Sequence, residues 1–161
     1  MLVGLNTLIG LPVIWQDRRL GAVERAVADA QAGWLDGLVV RRGIGVARWI
    51  AREEIRLLGE SCVLVRSRPV RMPEKRTDET RRVFLTTGEC VGEVSDAVID
   101  PRTLRLRALE VCRGPLGPLL GMRGYAVQFH LSAENREGGV ITSGLLSWMQ
   151  LKTQFKEEDD G

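Results

Sequence analysis

Histidine, tyrosine and cysteine are scarce: 161 residues hold one, one and three of them. His130 has no second histidine and no cysteine near it in sequence to complete a metal site. In the alternating context Gln128-Phe129-His130-Leu131 it reads as a strand-surface residue. Cys62, Cys90 and Cys112 are too far apart for any CxxC arrangement, and their number is odd. That is the pattern of a reduced, cytoplasmic chain whose cysteines serve as small, inert apolar residues. Long hydrophobic runs are missing too. Met1 to Trp15 is apolar but broken by Asn6, Gly10 and Pro12, and has no basic flank, so neither a membrane span nor a signal peptide is expected. Gly43-Ile44-Gly45 lacks the third glycine of a dinucleotide loop. Net charge is only +2, too small for a bulk electrostatic case for nucleic acid. No base, nucleophile and orienting group can be assembled, so the chain reads as non-enzymatic, with no catalytic residue, cofactor or metal.

What the chain does have is a diluted copy of itself. Gly21-Ala22-Val23-Glu24-Arg25-Ala26-Val27-Ala28-Asp29 lines up with Gly92-Glu93-Val94-Ser95-Asp96-Ala97-Val98-Ile99-Asp100, an offset of 71 residues. Carried forward without a gap, the offset pairs Leu35 with Leu106, Leu38 with Leu109 and Val40 with Val111. A fixed period of this length means one structural unit used twice.

The patterns inside each copy are those of strands. Gly21, Val23 and Val27 share one parity along Leu20–Ala28, and Trp34–Arg41 reads as the returning strand of a hairpin. The apolar parity changes between Leu35 and Leu38 and again between Leu106 and Leu109, which predicts a β-bulge at the same place twice. Asp29 and Asp100 stand at the heads of hairpin turns, where a carboxylate accepts backbone hydrogen bonds. Asp100-Pro101-Arg102-Thr103 predicts a type I turn. Ala51–Ile55 reads as one helical turn, whose Glu53-Glu54 is a solvated face. Gly114–Gly121 has no counterpart in the first copy and reads as a loop or lid. Ser147 and Gln150 form a capping box ahead of a short helix carrying Trp148, Leu151 and Phe155, with an acidic tail that frays after Phe155. Those apolar residues either cover a barrel end or meet a partner, including a second copy of the chain. The first alternative costs less entropy.

Several stretches together resemble the PRC-barrel family, the small β-barrel of the photosynthetic reaction centre H subunit and the ribosome maturation factor RimM. In the first copy they are Leu8-Ile9-Gly10 through Val13, Leu20-Gly21-Ala22-Val23 with Asp29, Trp49 through Ile55, and Leu58 through Val65. In the second they are Val91-Gly92-Glu93-Val94, Asp100, Leu106, Leu109-Glu110-Val111 and Gly114 through Arg123. The resemblance implies an all-β fold: two small PRC-type β-barrels in tandem with a short C-terminal helix. The expected layout is barrel 1 over 1–68, a basic linker over 69–80, barrel 2 over 81–144, and helix and tail over 145–161. Trp15, Trp34, Trp49 and Trp148 then fill barrel ends rather than stack on bases.

A duplicated scaffold without a catalytic set points to an adaptor that docks on a larger cytoplasmic assembly through exposed edges and loops. By resemblance to RimM, a ribosomal protein or pre-ribosomal particle is the first partner to expect. The candidate contact residues are Arg66, Arg68, Arg71, Lys75 and Arg76 in and just before the linker, where seven basic residues face three acidic ones between Arg66 and Arg82, and Arg41 and Arg42 of the first hairpin. The alternative is direct RNA binding by the same arginines.

Overall fold

The computed structural model describes residues 1–74, 81–113, 123–132 and 139–159. It is mostly β-sheet, in two sheets, with one C-terminal helix. The chain divides into two compact units. The first holds Val3–Thr77 together with Ile99–Leu106, and the second holds Met1–Leu2, Asp78–Val98 and Arg107–Gly161.

After the two-residue β1 (Val3–Gly4), the first unit supplies seven strands. They are β2 (Pro12–Trp15), β3 (Arg18–Asp29), β4 (Trp34–Arg41), β5 (Arg48–Ala51), β6 (Ile55–Leu58), β7 (Val63–Val65) and β8 (Val70–Arg71). Their order is β6-β7-β2-β3-β4-β5-β8. Gln16 and Asp17 turn β2 into β3 with φ of 47° and 60°, the left-handed pair whose twist matches the flanking strands. β4 is buried along most of its length, with Leu35, Leu38 and Val40 under its neighbours. Val27 pairs with Gly37 and Ala28 with Leu35, so Asp36 is an extra residue on β4. This is the bulge expected between Leu35 and Leu38. A second bulge sits at Glu24 of β3, between the pairs Val23–Val40 and Arg25–Val39. Each bulge adds a bend, and the sheet curls into a half-barrel.

The second unit repeats the plan. Its strands are β9 (Arg82–Leu85), β10 (Cys90–Ile99), β11 (Leu106–Cys112), β12 (Arg123–Ala126), β13 (Phe129–Leu131) and β14 (Val140–Thr142). The order β13-β14-β9-β10-β11-β12 matches β6-β7-β2-β3-β4-β5 strand for strand. β2 with β7 and β14 with β9 are parallel pairs at the equivalent place in the two sheets. This second sheet is open. Residues 114–122, the expected loop or lid, lie outside the described residues.

The offset also survives in atomic detail. Gly21 and Gly92 both have left-handed backbones, at φ +155° and +146°. A Cβ on Gly21 would lie 2.6 Å from the Arg41 carbonyl oxygen, and one on Gly92 would overlap that of Cys112, the residue equivalent to Arg41. Both hairpin turns are held by their aspartates, as expected. Asp29 Oδ1 accepts from the Gln31 and Ala32 amides, and Asp100 Oδ1 accepts from the Arg102 amide at 2.9 Å. The second turn is longer than a four-residue type I turn: Leu104 N–H donates to the Asp100 carbonyl at 2.7 Å, as Gly33 N–H does to Asp29. Leu104 reaches this through a left-handed φ of +62°, unusual for a residue with a side chain. Within the first unit the Leu35 amide donates to the Leu104 carbonyl, and the Leu106 amide donates to the Gly33 carbonyl. Shifting by the repeat turns each of these two bonds into the other.

The helix α1 (Trp148–Asp159) opens on the expected capping box. The Ser147 amide donates to Gln150 Oε1 at 2.8 Å, and the Gln150 amide donates to Ser147 Oγ at 3.2 Å. It continues past Phe155 instead of fraying. Arg107 explains why, lying 5.2 Å over the Phe155 ring and 3.8 Å from the Glu158 carboxylate. Leu151 and Phe155 are buried with Val98, Ala108 and Tyr125. The apolar helix face is therefore covered within its own chain.

Candidate functional site

The expected contact arginines fall into two groups on the first unit. Arg66 and Arg68 belong to the first. The Trp15 indole N–H donates to the Arg66 carbonyl at 3.1 Å, and the Arg68 guanidinium lies 4.9 Å over the Trp15 ring. Trp34 carries two such cations, Arg52 at 4.7 Å and Arg105 at 4.8 Å. Trp15 and Trp34 are thus capped by arginines, Trp49 is buried, and Trp148 is partly exposed beside Tyr125.

The second group surrounds the β4–β5 loop. Arg41 is already engaged: its Nε and one terminal nitrogen bind the two Glu24 carboxylate oxygens at 2.9 and 3.2 Å, and the other donates to the Gly45 carbonyl at 2.8 Å. The loop itself is a tight turn. Gly45 N–H donates to the Arg42 carbonyl at 2.9 Å while Gly43 adopts φ +54°, the type II′ arrangement that a glycine makes easy. Ile44 is left at the apex, fully exposed, with exposed Val46 beyond it. Arg48 then opens β5 directly opposite Arg71 of β8, with exposed Val70 beside it on the same edge strand. Arg42, Arg48 and Arg71 make no ion pair among the described residues. Facing like charges weaken a ladder, so the strands alone do not account for the Arg48–Arg71 pair.

Sequence reasoning named Arg41, Arg42 and Arg71 as candidates and did not name Ile44, Val46, Arg48 or Val70 among them. The signal was legible, since aliphatic residues alternate with glycine in a segment read as a loop. Lys75 and Arg76 lie outside the described residues. Val70 and Arg71, read as linker, are part of the first sheet.

In the second unit His130 lies exposed on β13, as expected, and Cys112 is buried, but Cys90 is exposed rather than packed. Cys90 opens β10 where the register shifts before Gly92, which leaves its side chain outside the core. Ser95, Glu110, Arg123 and Tyr125 form a polar network. Glu110 accepts from Ser95 Oγ at 2.8 Å and from the Tyr125 hydroxyl at 3.0 Å, with Arg123 Nε 3.8 Å away. Burial first, and then the Glu110 carboxylate, push the Tyr125 phenol up to about 12. The folded state therefore holds this proton more tightly than the unfolded chain, whose phenol titrates near 10.0. Stability is then undiminished below that pH and falls as pH rises from about 10 towards about 12. As Tyr125 is the sole tyrosine, an ultraviolet absorbance titration reads it alone. Its midpoint is expected near pH 12 in the native protein and lower in Glu110→Gln.

No group of three or more histidine, cysteine, aspartate or glutamate side chains placed to hold a metal occurs among the described residues, and no helix among them is long and apolar enough to cross a membrane. The chain matches no protein-family model. It also matches none of the curated proteins.

Proposed function

We propose that the protein is a non-enzymatic adaptor, a tandem of PRC-type barrels that docks on a larger cytoplasmic assembly through the β4–β5 loop and the β8 edge. Supporting this is one observation above the rest: Ile44, the apex of a tight turn, stands fully in solvent, with exposed Val46 two residues on and the facing Arg48–Arg71 pair where the loop enters β5. Ile44, Val46 and Val70 together expose more apolar surface along the loop and its edge strand than a single stray aliphatic would. Exposed apolar side chains together with arginine are residue types that protein–protein contacts use. β8 adds a strand edge, unpaired among the described residues, on which a partner segment can continue the sheet.

The resemblance to RimM directs the first test to ribosomal and pre-ribosomal particles. On sucrose gradients the full chain is expected to travel with a particle fraction, and Ile44→Ser with Val46→Ser to cut that association about tenfold or more. A chain that stays at the top of the gradient at both low and moderate salt overturns the ribosomal assignment. The unneutralised Arg48–Arg71 pair favours a second reading, direct RNA binding. It predicts the opposite pattern: association that survives Ile44→Ser, falls steeply with salt, and disappears when Arg42, Arg48 and Arg71 become Glu.

A further inference from the structure

We propose that the cleft beside Gly21 is a binding site for a dianionic phosphate group, either free or as a monoester on a small molecule. The cleft, of about 360 Å³, is lined by Arg19, Gly21, Ala22, Arg41, Arg42 and Gly43. Three of its lining residues are arginines and none is acidic. The three small residues leave room for a compact oxyanion rather than a bulky ligand.

The arginines are not equivalent. Three of the five N–H donors of Arg41 are committed to Glu24 and Gly45, which fixes its plane and leaves two for a ligand. Glu24 also neutralises that charge. Arg19 and Arg42 are exposed and form no ion pair among the described residues. Two positive charges therefore remain uncompensated around one small volume, the complement of a dianion. Guanidinium forks meet phosphate oxygens through paired, charge-assisted hydrogen bonds.

The molecule contains its own control. At the 71-residue offset a second cleft, of about 790 Å³, is lined by Cys90, Gly92, Glu93, Cys112 and Arg113, with Glu89 beside them. Cys90 and Cys112 stand where the first copy has Arg19 and Arg41. The close approach of glycine to the opposite carbonyl is the same in both. This strand crossing is therefore built equally well without the arginines, and the fold does not require them. In the second cleft two arginines, Arg82 and Arg113, are matched by two glutamates, Glu89 and Glu93, so it lacks the excess of positive charge that the first has.

The cleft shares Arg42 and Gly43 with the docking face, but purified protein and a small anion test it without any partner. Full-length, ¹⁵N-labelled chain is titrated with inorganic phosphate and, separately, with glycerol 1-phosphate at constant ionic strength in sodium chloride. Saturable shifts are expected at the Gly21, Ala22 and Gly43 amides. Arg19→Gln and Arg42→Gln, both exposed and checked by melting curves, are each expected to weaken binding about tenfold or more. Arg113→Gln is expected to bind as the native chain does. Saturation by both probes places recognition on the phosphate group itself, and saturation by the ester alone adds contacts to the rest of the molecule. Either result sustains the site. Shifts no larger than chloride produces overturn it, as do native affinity in Arg19→Gln and Arg42→Gln or an equal loss in Arg113→Gln.

Discussion

Gly92→Ala is expected to lower the melting temperature by about 6–12 °C, corresponding to about 3 kcal/mol of destabilisation in a chain of this size. Two effects add. The backbone at Gly92 sits at φ +146°, where a residue with a side chain is strained, and the new methyl group would overlap the Cys112 carbonyl oxygen. That oxygen belongs to a strand backbone, so it cannot rotate away as a side chain would. Gly21→Ala meets the same obstacle at the Arg41 carbonyl and is expected to behave alike. Gly33→Ala supplies the comparison: its φ is +81°, but nothing lies within 4 Å of the added Cβ. Its cost is therefore expected to be the backbone term alone, about 1 kcal/mol. Thermal denaturation of the three variants separates strain from overlap. Equal losses at all three positions would mean that the carbonyl approach plays no part.

Leu151→Ala is expected to cost about 3 kcal/mol, and deleting the chain from Leu145 onward still more. Leu151 is 0 % exposed and shares its cluster with Val98, Ala108, Tyr125 and Phe155. The truncation also removes Leu146, whose amide and carbonyl exchange hydrogen bonds of 2.8 Å with Tyr125 at the edge of β12. Those two backbone groups then lose their partner. Sedimentation and melting curves on the same samples test this together. Lower stability with an unchanged molecular mass is expected. Unchanged stability accompanied by loss of an oligomer would instead make α1 a docking element, with its buried face turned to a second chain.

Much of the architecture was written in the amino-acid order, because its signals are local or periodic. A duplication at fixed offset dictates two copies of one strand plan. Asp29 and Asp100 specify their turns, since a short carboxylate at a hairpin head finds amides within three residues. Ser147 and Gln150 specify the start of α1 in the same way. The parity change between Leu35 and Leu38 located the bulge at Asp36, because a strand can reverse its buried face only by inserting a residue.

What tertiary structure alone decided is how side chains distant in sequence combine. Arg41 looked like a free cation and is a clamp on Glu24, because the bulge at Glu24 and the β3–β4 register bring the two together. Arg68 also looked free, yet it is stacked on a tryptophan, as is Arg105. Arg71 faces Arg48 only because β8 adds itself to the edge of β5. The tail of α1 is held because Arg107 of β11 reaches Glu158. Charge is a property of composition, but whether a charge is neutralised depends on strand register, and register between strands far apart along the chain is set by packing that no local pattern encodes.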